Sequence, residues 1–161
     1  MLKENGFTSN QAGFTLIELV VVIVILGILS ATALPRFIDL SSDARVATLE
    51  SLEGSMRSAS NLVNLKARVQ NKTDCSTDPV IDIGDESITL RCGYPCPHSN
   101  GIAKAVDTDE SFTWSGGNCG GLAGAIEVKI NDAPDPNNCK IRYSSARENI
   151  PPDFAPTTTG C

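Results

Sequence analysis

Gly13-Phe14-Thr15-Leu16-Ile17-Glu18-Leu19-Val20-Val21-Val22-Ile23 opens an apolar run that continues to Leu34, broken only by Thr15, Glu18, Ser30 and Thr32. As a helix, 14–34 spans roughly 30 Å, the thickness of a bilayer's hydrocarbon core. A core helix of a soluble protein would be shorter or would keep a polar face, and this run does neither. The β-branched cluster at 20–24 does not argue for a strand. A single segment in lipid satisfies its own backbone only as a helix.

Residues 1–13 are short and polar, with Lys3 beside Glu4. An ordinary secretory signal places its apolar region before the small-residue cleavage site, whereas the candidate site here, Gly13, precedes it. Cutting after Gly13 leaves the apolar segment on the mature chain and frees an amine at Phe14. Glu18 lies about one helical turn away. A carboxylate within a membrane span costs about 3 kcal/mol, so it calls for a partner or a function. Snorkelling at the membrane edge is the bland account. The functional one pairs Glu18 with a Phe14 amine, in its own helix or from a neighbouring copy. Desolvation would then make mismatched registers costly.

Gly27 and Pro35 are the expected interruptions of the helix, costing about 1 and about 3 kcal/mol respectively in an ordinary helix interior. A tolerated kink and a functional weak point both fit. Beyond Pro35, Leu49, Leu52, Met56, Ala59 and Val63 recur at alternating three- and four-residue spacing, widened by Leu62 and Val69. That pattern predicts an amphipathic helix over 35–72 whose apolar stripe is core. Glu50, Glu53 and Arg57 mark the opposite face, with Glu53 and Arg57 at the favourable four-residue spacing. The helix should fade where 71–79 turns polar and reaches Pro79.

The C-terminal half is built differently. Aromatic residues make up only 5% of the chain, and 13 Gly and 9 Pro fall mostly beyond residue 79, which reads as strands and loops around a modest core. Cys75, Cys92, Cys96, Cys119, Cys139 and Cys161 all lie in this half. Their segregation points to disulfides and to an oxidising compartment, with the pairing left open. Strands are expected at 80–83 and 87–91 about a Gly84-Asp85 turn, then at 111–115, 125–130 and 140–143. The proline- and threonine-rich tail 150–160 reads as irregular and tied back by Cys161. The fold class is therefore α+β, with a long N-terminal helix, transmembrane then amphipathic, packed on a small antiparallel sheet with a disulfide-tied C-terminal loop. The expected divisions are 1–13, 14–34, 35–72 and a head over 73–161.

Little else carries chemistry. Cys92, Cys96 and His98 resemble zinc spacing but lack an obvious fourth ligand, so disulfides are the better account. Asp107, Asp109 and Glu110 are rich in oxygen but lack the glycine turn and alternating spacing of a calcium loop. No metal or cofactor is expected. With one histidine and no phosphate-cradling glycine loop, no acid, base and nucleophile set is recognisable, so the chain does not read as an enzyme. Gly116-Gly117 and Gly120-Gly121 read as turns around Cys119, and Trp114 as core rather than a sugar platform. A net charge of −6 argues against a nucleic-acid partner. Asn71-Lys72-Thr73 fits an N-glycosylation sequon.

The run from Gly13 to Ile23 resembles the class III leader junction of type IV pilins and of type II secretion pseudopilins. The resemblance implies that a prepilin peptidase cuts after Gly13 and methylates Phe14, and that Glu18 guides subunit docking. It also implies local unwinding near Gly27 and Pro35 on assembly. Pro35-Arg36-Phe37 and 43–49 further resemble mannose-sensitive haemagglutinin pilins. The implied life history begins as a single-pass inner-membrane precursor and ends, through pilus assembly machinery, in a surface homopolymer for attachment or biofilm, with an unknown ligand. A pseudopilin and a minor pilin that binds a receptor or DNA remain as alternatives.

Overall fold

The computed structural model describes residues 15–119 and 124–161, with the backbone alone over 34–39. The chain divides into an N-terminal unit ending at Leu40 and a head unit running from Ser41 to Cys161.

The first helix, α1 (Leu16–Val69), contributes to both units. Its assignment passes unbroken through Gly27 and Pro35, so neither interrupts the helix in this state. It stops at Val69, three residues short of the expected end at Lys72. Asn71 takes a left-handed φ of 56° there, and Lys72 N closes the end by donating to the Ala67 carbonyl at 2.8 Å.

Within the head, the buried residues of α1 are Leu49, Leu52, Met56, Ser60, Val63, Asn64 and Ala67. The first three pack with Ile126, Val128, Ile130, Ile141, Tyr143 and Phe154, whereas Val63 and Ala67 pack with Ile81, Ile88 and Leu90. One helical stripe therefore organises two apolar clusters. The expected stripe needs correction at its edges. Leu62 and Val69 are 60% and 83% exposed, because their positions rotate onto the outer face, while Ala67 is fully buried. Glu53 and Arg57 pair as their spacing predicts, at 2.6 Å, and the Arg57 guanidinium lies 4.5 Å from the Phe154 ring centroid.

Two antiparallel sheets stand where one was expected. The first has the order β1-β2-β3, from β1 (Val80–Ile83), β2 (Glu86–Arg91) and β3 (Tyr94–Pro95). Gly84 at φ 61° makes the first turn, and Cys92 and Gly93, both left-handed, make the second. A short helix, α2 (Ile102–Ala105), follows. The second sheet runs β4-β5-β6-β7, from β4 (Phe112–Gly116), β5 (Ala125–Ile130), β6 (Lys140–Ser144) and β7 (Asp153–Thr157).

β7 corrects the reading of the tail as irregular. Phe154 pairs with Tyr143 and Pro156 with Ile141, and the strand lies at a sheet edge, where a missing N–H is tolerated. The tail closes through the Cys139–Cys161 disulfide, and Arg45 Nη1 on α1 donates to the Cys161 carbonyl at 3.1 Å. The other bridges are Cys75–Cys92 and Cys96–Cys119.

Tyr143 joins the two sheets. Its buried hydroxyl donates to the Pro95 carbonyl at 2.7 Å, and burial pushes the phenol well above its usual range.

Two stability predictions follow from this packing. Met56→Ala should cost about 2–5 kcal/mol in denaturant melts of the detergent-solubilised chain, and Leu62→Ala no more than about 0.5 kcal/mol. Tyr143 should also destabilise the fold at alkaline pH. Above about pH 10 the unfolded phenol releases its proton while the folded one retains it, so stability falls as pH rises. Tyr143→Phe should flatten that fall while costing about 1–3 kcal/mol at neutral pH, because the Pro95 carbonyl loses its donor.

Candidate assembly segment

The N-terminal end of α1 is held by a reciprocal cap. Thr15 precedes the helix, and Glu18 is its third residue. Thr15 N donates to Glu18 Oε2 at 2.9 Å, the Thr15 hydroxyl donates to the same oxygen at 2.9 Å, and Glu18 N donates back to Thr15 Oγ1 at 3.3 Å. This is a capping box, which satisfies backbone donors that the first turn leaves without intrahelical partners. The signal was present in Thr15-Leu16-Ile17-Glu18, a threonine three residues before a glutamate.

The remaining polar residues of the run also turn inward on their own helix. Ser30 Oγ donates to the Leu26 carbonyl at 2.7 Å and Thr32 Oγ1 to the Leu29 carbonyl at 3.0 Å. Such back-bonding removes the cost of carrying a hydroxyl into an apolar medium. The apolar side chains have no such internal solution. The span Leu16–Ala33 is long and apolar enough to cross a membrane, and none of it is buried by the rest of the chain. Leu16 is 80% exposed and Ile28 65%. Gly27 has open space around the position a Cβ would occupy. Gly13 and Phe14 lie outside the described residues, as do Gly120 and Gly121, and for Pro35 only the backbone is described.

In the head, all six cysteines are engaged in the three disulfides. Cys92 and Cys96 therefore belong to different bridges rather than to a shared site with His98. Among the described residues, no cluster of three or more His, Cys, Asp or Glu side chains is arranged to hold a metal ion. Asp109 Oδ1 accepts from Ser111 N at 2.9 Å, a local turn contact. Trp114 is half-buried against the larger core, with Nε1 donating to Thr108 Oγ1 at 3.0 Å. Gly117 needs its missing side chain, since a Cβ there would lie 2.5 Å from the Pro97 carbonyl oxygen.

Residues 8–34 match the prokaryotic N-terminal methylation motif. The chain carries this motif across the start of its apolar run. Known proteins similar to the chain match it over longer stretches than this motif. The type IV narrow pilus major component PilA5 of Thermus thermophilus is 48% identical over 56 residues, 35% of this chain and 48% of that protein. A fimbrial protein of Pseudomonas aeruginosa is 34% identical over 83 residues, 52% and 54% of the two chains. The type IV major pilin protein PilE1 of Neisseria gonorrhoeae is 32% identical over 112 residues, 65% of this chain and 52% of that one. The chain thus spans about half the length of each of these relatives. No solved structure matches it.

The cap predicts a local effect that does not depend on assembly. Thr15→Val keeps the shape but loses the hydroxyl, which should cost the first turn about 1 kcal/mol. Amide exchange of the first helical residues in detergent micelles should speed up about fivefold, with exchange in the head unchanged.

Proposed function

We propose that this chain is the structural subunit of a type IV pilus, made as an inner-membrane precursor, cut after Gly13 by a prepilin peptidase and methylated at Phe14. The processed subunit polymerises through 14–34, and the head forms the exposed surface of a filament that serves attachment. The observation that carries this reading is the span Leu16–Ala33, apolar and wholly unburied by its own chain. Such a surface needs lipid or other copies of itself, and transfer from one to the other is what assembly of a filament requires.

Glu18 gives that transfer a register. Among apolar neighbours, a carboxylate held at the first turn favours a cation, and the Phe14 amine of an incoming subunit supplies one. The cap with Thr15 holds the carboxylate before it meets that partner. Gly27 and Pro35, intrahelical in this state, are the positions where opening the helix costs least, so local unwinding on assembly belongs to the same proposal. Leu62, Leu65 and Val69, each at least 60% exposed, extend the apolar contact along the outer face of α1. The finer likeness to mannose-sensitive haemagglutinin pilins rests on 35–37 and 43–49. The pilus and fimbrial components among the relatives support a surface fibre over a secretion pseudopilin.

Intact-mass analysis of filaments sheared from cells should give a dominant species that begins at methylated Phe14 with all six cysteines oxidised. Recovery of the processed chain from membranes but never from sheared filaments would overturn the proposal of a pilus subunit. Glu18→Ala should leave membrane insertion and cleavage intact while abolishing most filament yield, as counted by electron microscopy. Undiminished filaments would rule out the charge-guided register.

A further inference from the structure

Where α1 ends, the head forms a cleft of about 590 Å³, within the size range of small-molecule sites. Its walls are fixed by the sequence in several independent ways. Asn64, buried on the α1 stripe, donates from Nδ2 to the Gly93 carbonyl at 3.0 Å and accepts at Oδ1 from Arg68 Nε at 2.9 Å. One amide thus holds both a hairpin turn and a guanidinium. Gly93, at φ 80°, sits so close that a Cβ would lie 3.0 Å from Thr73 Cγ2. The Cys75–Cys92 disulfide ties the loop after α1 to the same hairpin. Across the cleft, Arg147 and Ile150 exchange backbone hydrogen bonds at 2.9 and 3.0 Å, closing a tight turn over Glu148 and Asn149.

The backbone around the cleft is unusual as well. The non-glycine residues with left-handed φ among those described are Asn71, Cys92 and Asn149, at 56°, 51° and 59°. Cys92 and Asn149 line the cleft, and Asn71 lies two residues before Thr73, which also lines it. Asparagine accepts this conformation readily, but cysteine does so at a cost, which its surroundings must impose. Cys92 is thus a strained position in the cleft wall, the kind of feature found where a site's shape is held in advance.

The chemistry of the lining selects a ligand class. Arg68 and Arg147 offer planar forks that match a carboxylate, against one anion in the lining, Glu148, on a chain whose net charge is −6. Thr73, Asn149 and Tyr94 add a hydroxyl, an amide and a half-buried phenol ring, the groups that meet sugar hydroxyls and a sugar's apolar face. The aliphatic lining is limited to Ile150 and Pro151, too little for an acyl chain or an aromatic ligand.

We propose that this cleft binds a carboxylated saccharide residue, a hexuronic acid or its equivalent, with the two arginines taking the carboxylate and Tyr94, Thr73 and Asn149 the sugar. The site is independent of the polymer reading and is tested without a filament, so failure of either leaves the other standing.

The experiment is calorimetric titration of the detergent-solubilised full chain with methyl glucuronide, methyl glucoside and sodium sulfate. Saturable binding of the glucuronide is expected, with the glucoside at least about tenfold weaker. Arg68→Gln and Arg147→Gln should each weaken glucuronide binding by about tenfold, with Asn64→Ala, which removes the amide that holds the Arg68 guanidinium, weakening it as well, and thermal melts of each variant confirming a folded head. The proposal is overturned by absence of saturable glucuronide binding, by equal binding of the neutral glucoside, or by binding that survives both arginine substitutions. Sulfate that displaces the glucuronide at equal concentration would reduce the site to a simple anion cradle and overturn it as well.

Discussion

The buried stripe of α1 is the constraint on which the head depends. A chain with so few aromatic residues has little bulk for a core, and two small sheets cannot each bury a face independently. Leu49, Leu52 and Met56 give the four-stranded sheet its second layer, and Val63 and Ala67 do the same for the three-stranded sheet. Tyr143 then joins the sheets through Pro95. Loss of the stripe would leave both sheets with an unsupported apolar face. Of the polar positions on it, Ser60 sits between the two clusters, and Asn64, within the second, organises the cleft at the end of the helix.

The same helix must also serve an apolar environment supplied from outside the chain. Its apolar span, Leu16–Ala33, solves the problem by confining its polar side chains to local bonds: Glu18 with Thr15, Ser30 with Leu26, Thr32 with Leu29. What remains is a continuous hydrocarbon surface carrying one carboxylate. That combination suits a segment that first lies in lipid and then meets identical segments, because its apolar contacts are unspecific and the single charge is not.

Covalent links stabilise what the small core cannot. The Cys139–Cys161 bridge and the Arg45 contact hold the last strand to the sheet and to α1, so the tail becomes the edge β7 rather than a loose end. Each bridge closes a loop of 17 to 23 residues, short enough to be local staples rather than long-range ties. Together they anchor the loops and turns, which are the parts of the head with fewest buried apolar side chains.

Much of this organisation was legible in the residues. An apolar run long enough to span a bilayer determines a helix and an apolar environment, because no other single-segment conformation satisfies its backbone there. Alternating three- and four-residue spacing determined Leu49, Leu52, Met56 and Val63 as core, and alternation around Gly84-Asp85 determined the first hairpin. Leu62 and Val69 on the outer face and Ala67 on the buried one follow from helical phase. Two kinds of fact were decided only by the tertiary structure. β7 formed despite Pro156 because a neighbouring strand and a disulfide hold it at an edge. The pairing of the cysteines and the meeting of Asn64, Arg68, Tyr94 and Arg147 at one cleft join residues far apart in the chain, and only folding brings such residues within bonding distance.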